Sequence, residues 1–114
     1  MHETVVAQSV LATILAESEK HNGRPVGARI SCGTFSAVND ELLKLSFEAI
    51  AKDTLCKDTQ LQIEHKDIRG KCDKCRNIFT VLLQKPRCPK CGGQKFALLP
   101  DAPIILEQIE FETE

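Results

Sequence analysis

The sequence contains no tryptophan and no tyrosine, and its only large aromatics are five phenylalanines. That excludes a broad platform for stacking nucleic-acid bases. No apolar run approaches the roughly 20 residues that a membrane span needs. The start lacks the basic and apolar regions of a secretory signal. The expectation is a cytoplasmic protein with no membrane partner, whose cysteines are reduced or bound to metal rather than paired as disulfides. A glycine-rich phosphate loop, a nucleophile–base pair and an open catalytic metal position are also missing, so an enzyme is not expected.

What is present is a chain of 114 residues, 42% hydrophobic, enough for one modest domain or two very small units. Its net charge of −1 hides a division. Between Arg69 and Lys95 eight cations face Asp73 alone, a balance of +7 before any thiolate is counted, which leaves −8 for the rest. Glu107, Glu110, Glu112 and Glu114 close the chain. A split this large suggests two units with different surroundings.

The hydrophobic period predicts a helix over 4–21, with Val6, Val10 and Ile14 on one face and Leu11 and Leu15 widening it. Asn22-Gly23 should end it, with the glycine supplying the left-handed residue. Val26, Ala28, Ile30 and Cys32 alternate with Gly27, Arg29 and Ser31 as a half-buried strand. Asn39 or Asp40 can cap a second helix, carrying Leu43, Phe47 and Ile50 and ending near Lys52. A second strand follows at 60–65 and a last one at 104–111. Two helices and three strands can cover each other as an α+β layer. Residues 70–96 are rich in Gly, Cys and Pro and read as an insertion between the second and third strands.

Within that insertion, Cys72 and Cys75 of "CDKC" precede Cys88 and Cys91 of "CPKC", with residues 76–87 between the pairs. Two Cys-x-x-Cys turns supply the four soft ligands of a tetrahedral zinc site. Iron could use the same ligands. With all four positions filled by sulfur, the metal should be structural, and its binding should supply the module's folding energy. Phe79 to Leu83 can form a small hairpin between the pairs. Cys32 and Cys56 lie outside the motif with no base close in sequence, and read as small buried hydrophobes. His21 and His65 read as structural or surface residues.

The first residues, "MHE", can be a frayed end. They can also be a chelate. The Met1 amine, the His2 amide nitrogen and the His2 imidazole would form fused rings on one ion, in a nitrogen-rich square plane suited to Ni(II) or Cu(II).

In order and spacing, "MHE", "ISCGTFSAVNDELLKLSFEAIAKDT", "LQIEH", "CDKC", "CPKC" and the acidic closing strand resemble the HypA family of nickel metallochaperones for [NiFe]-hydrogenase maturation. The resemblance implies an α+β nickel-binding domain with a small mixed three-stranded sheet and two helices, formed by residues 1–69 and 97–114. A zinc-ribbon-like domain, residues 70–96, would be inserted into it, with Zn(2+) on Cys72, Cys75, Cys88 and Cys91. It implies a Ni(2+) cargo held by the Met1 amine, backbone nitrogens near positions 2 and 3, and the His2 imidazole, with Glu3 and Asp40 nearby. It implies a HypB-type GTPase and a hydrogenase large subunit as partners, with a monomer expected and a dimer swapped through the sheet left open. Thr4-Val5 and Asp53 depart from the family's usual residues. The rival reading is a zinc-ribbon module that binds nucleic acid or protein. The basic segment favours it, but the acidic remainder would repel a phosphate backbone.

Overall fold

The computed structural model describes residues 3–35 and 38–112. Helix α1 runs Glu3–His21, with Glu3 in its first turn and Lys20 and His21 in its last, each complementing the helix dipole. Its buried positions are Ala7, Val10, Ile14 and Ser18, a three-then-four spacing that keeps one face toward the core. The left-handed residue that ends it is Asn22, with φ of 49°, and not Gly23 as expected. Asparagine tolerates that conformation better than other side-chain-bearing residues. Gly23 serves close approach instead: a Cβ there would stand 3.1 Å from Cβ of Phe111.

Strand β1, Arg24–Cys32, is the middle of a three-stranded sheet. It pairs in parallel with β2, Gln60–His65, and antiparallel with β6, Ile105–Glu112, so the sheet is mixed. Helix α2, Asp40–Ala51, lies on the β1–β2 crossover that a parallel pair requires. Asn39 caps it, its side chain accepting from the Leu42 amide at 2.9 Å. The predicted alternation of β1 fails at its start. A bulge between Pro25 and Gly27 shifts the register, so Pro25 is buried and Val26 only half-buried. Ala28, Ile30 and Cys32 face inward as expected, and meet Ala7, Val10 and Ile14 of α1 and Leu43, Phe47 and Ala51 of α2 in one core.

A second sheet has the order β4-β3-β5, formed by Ile78–Thr80, Arg69–Cys72 and Phe96–Leu98. The expected hairpin within 79–83 is not what forms. Ile78–Thr80 pairs back onto β3, and only a bridge between Leu82 and Lys85 closes the turn beyond. The buried hydrophobic cluster here is Cys72, Phe79 and Cys88, with Phe96 edge-on to Phe79 at 5.3 Å. So small a core needs another source of stability, usually a metal or disulfides. The molecule is long, 53 × 27 × 17 Å, with a radius of gyration of 18.1 Å. A compact chain of this length would have about 13 Å.

Candidate metal centres

The two Cys-x-x-Cys turns are built alike. Residue four after the leading cysteine is left-handed in each, Arg76 at φ 62° and Gly92 at φ 74°. Its amide donates back to the carbonyl of that cysteine, Arg76 to Cys72 at 3.0 Å and Gly92 to Cys88 at 2.8 Å. This fold-back turns both thiols of a pair toward the opposite loop. The Cys72 and Cys91 sulfurs lie 3.5 Å apart, as do those of Cys75 and Cys88. All four fall within 4.8 Å of one another, the one such group of three or more metal-ligating side chains among the described residues. A tetrahedron with sulfurs at about 2.3 Å from zinc has edges of about 3.8 Å, so the donor set fits that ion.

Electrostatics around the sulfurs lower the pKa of one residue of each pair. For Cys72 the Cys75 backbone amide lowers the pKa more than burial raises it, with help from the Lys74 amide. Burial pushes Cys88 up, but the Cys91 and Lys90 amides and the neighbouring thiols outweigh it and bring it down to about 6. Cys75 goes the other way. Its bond with the Asn77 backbone lowers it, yet burial and the thiols around it push it up to about 11. Four sulfurs this close cannot all ionise without a cation among them. Donors to the sulfurs include the Gly93 amide on Cys91 at 3.4 Å. A Cβ on Gly93 would sit 3.3 Å from that sulfur, so the close approach favours glycine.

Met1 and His2 lie outside the described residues. Glu3 opens α1, and its carboxylate accepts from the Asn39 amide at 3.0 Å. The start of α1 is thereby tied to the start of α2, and Glu3 and Asp40 come to the same corner. Asp40 Oδ1 is 2.6 Å from His65 Nε2, and His65 Nδ1 is 3.4 Å from Cys32 Sγ. Cys32 therefore has a base beside it, contrary to the expectation from sequence, because the parallel register pairs it with His65. The pair does not make a nucleophile for an external substrate, since Cys32 is fully buried. Cys56 is as inert as expected: burial pushes its thiol up, and bonds with Thr59 and Thr54 only partly offset this. His21 stays structural, 3.5 Å from Glu17 and packed on Phe111 with centroids 5.3 Å apart.

Sequence reasoning missed Asp101. It lies on the segment returning from the second sheet, and its two carboxylate oxygens accept from the Thr34 and Phe35 amides, each at 2.8 Å. A Cβ at Gly33 would overlap that carboxylate at 2.2 Å. Nothing local marks the partnership, whose members are 66 and 67 residues apart. Asp101→Ala should release this loop and cost about 2 kcal/mol, as expected for lost hydrogen bonds to a charged group. Urea unfolding checks this, and a midpoint equal to the parent's would contradict it.

Three comparisons bear on these sites. A family model described as "Hydrogenase/urease nickel incorporation, metallochaperone, hypA" matches residues 1–111. A hydrogenase maturation factor HypA from Pelodictyon phaeoclathratiforme is 26% identical, over 100% of this chain and 98% of the relative. A hydrogenase maturation factor HybF from Escherichia coli O157:H7 is 27% identical, over 98% of this chain and 100% of the relative. Among solved structures, the nickel metallochaperone HypA from Helicobacter pylori superposes with a TM-score of 0.65 at 25% identity, covering 100% of both chains.

Proposed function

Because this chain belongs to the HypA family of nickel-incorporation metallochaperones, a family of carriers rather than enzymes, we propose that it binds Ni(2+) at its amino terminus and delivers it to a [NiFe]-hydrogenase large subunit in the cytoplasm. The observation that carries the reading is the family match running from residue 1, through the His2-Glu3 start and both cysteine pairs. Ligands are the Met1 amine, the His2 imidazole and backbone nitrogens near positions 2 and 3. Glu3 contributes through its backbone, because its side chain is engaged with the Asn39 amide.

Cys72, Cys75, Cys88 and Cys91 would hold a structural Zn(2+), which supplies a cross-link and, with four sulfurs around it, no open position for chemistry. Residues 70–96 then form the inserted zinc domain, and 1–69 with 97–114 the nickel-binding domain. The zinc tetrathiolate lowers the charge of the basic segment by about two, still leaving it suited to an acidic protein partner. No helix among the described residues is long and apolar enough to cross a membrane. The sequence has no nucleotide motif, so GTP dependence enters through a HypB-type GTPase. The reading involves no nucleic acid, and a monomer or a dimer swapped through the sheet would each serve it.

A deletion strain should lose hydrogenase activity at low nickel and regain part of it in excess nickel. Full activity at low nickel in that strain would overturn the role.

A further inference from the structure

The corner where α1, α2, β1 and β2 meet holds two polar contact runs, Cys32–His65–Asp40 and Asn39–Glu3, joined through the Asn39–Asp40 peptide link. We propose that His65 is a positioning residue for nickel binding: anchored on Cys32, it holds Asp40 at the start of α2 and so leaves that helix end to Glu3, which fixes the start of α1. The inference rests on the reading that nickel binds at the amino terminus, next to Glu3.

Donor and acceptor chemistry orients the first run. A carboxylate only accepts, so His65 donates Nε2–H to Asp40 Oδ1. In the neutral ring Nδ1 is then an acceptor, and the partner facing it is Cys32, whose thiol can donate. Cys32 sits on the buried central strand, which gives the ring a rigid backing. The carboxylates of Glu3 and Asp40 both gather at the amino end of α2, where backbone N–H groups and the helix dipole attract them. They also repel each other. His65 resolves the conflict by giving Asp40 a donor off the helix. Without it, the Asp40 carboxylate is free to swing toward Glu3 and push that carboxylate off the Asn39 amide by like-charge repulsion. Helix α1, whose first residue follows His2 in the chain, would then lose its anchor.

The test is nickel titration of full-length, zinc-loaded protein, free of any amino-terminal extension, in four forms: the parent, His65→Ala, His65→Gln and His2→Ala. His65 is about half-exposed at the end of a strand, so both of its variants should fold and keep their zinc. His65→Ala should weaken nickel binding about tenfold, the lower end of the effect of partners that orient metal ligands. The glutamine amide can still donate to Asp40, so His65→Gln should recover most of the affinity. The nickel absorption bands should stay where the parent's are, because no ligand has been removed. Undiminished affinity in His65→Ala, glutamine no better than alanine, or shifted bands would each overturn the positioning role, the last by making His65 a ligand. His2→Ala separates the two levels. If it abolishes binding while His65→Ala does nothing, only this inference fails. If it binds as the parent does, or the parent takes up no nickel, the reading beneath it fails too.

Discussion

Replacing Cys72 with alanine should empty the four-sulfur cluster and unfold residues 69–98, while α1, α2 and the first sheet keep their structure. Cys72 is nearly fully buried and lies at the end of the central strand of the second sheet, so its sulfur belongs to both metal site and core. The rest of that core is essentially Phe79 packed on Phe96. Structural zinc binding supplies an apparent 10–16 kcal/mol, roughly, in small metal-dependent modules, far more than two phenyl rings can. The first core contains none of these residues. Amide resonances of the second sheet should therefore collapse and bound zinc fall from one per chain to none, with helical circular dichroism largely retained. Retained second-sheet resonances in the metal-free variant would contradict the account. So would loss of both halves together.

Replacing His2 with alanine should weaken nickel binding by more than about 100-fold, since removing a ligand must exceed the 10–100-fold cost of losing an outer partner. Zinc content and fold should be unchanged. Position should matter as much as identity. An uncleaved amino-terminal extension moves the free amine away from His2 and should weaken binding even though every native side chain remains. Binding should also fall with pH. The imidazole and the amine coordinate only when deprotonated, and their unperturbed pKa values are about 6.5 and 7.7–8.0. Nickel should thus be held above that range and released as pH drops through it. Isothermal titration at pH 8 and pH 5.5 checks the direction; equal affinities would count against coordination by these two groups.

Those features that depend on near neighbours were legible in the sequence. The cysteine pairs announce their site by spacing alone, because each turn is four residues long and closes on itself. Helix α2 announces a cap at Asn39 or Asp40, of which Asn39 serves, and its buried Leu43 and Phe47. Where two near neighbours compete for a role, local sequence does not decide between them. Asn22, not Gly23, took the left-handed position, because Gly23 is needed against Phe111. Pro25 displaced Val26 from the core because a bulge against β6 resets the strand's period, and a bulge depends on the partner strand.

What stayed hidden depends on pairing across the fold. Cys32 and His65 are 33 residues apart and meet only through the parallel β1–β2 register. Asp101 reaches the loop after β1 from the far side of the inserted segment. Alternation along one strand says which face a side chain takes, and nothing about which residue stands beside it. The proposed amino-terminal chelate has a local rationale, but "MHE" alone also suits a frayed end, and the order of motifs along the whole chain is what favours nickel.

The most direct measurement is X-ray absorption at the nickel and zinc edges, on protein with its own amino terminus and one equivalent of added Ni(2+). The account predicts one zinc surrounded by four sulfurs and one nickel surrounded by nitrogen and oxygen donors alone. Nickel in a sulfur shell, with zinc displaced from Cys72, Cys75, Cys88 and Cys91, would contradict it.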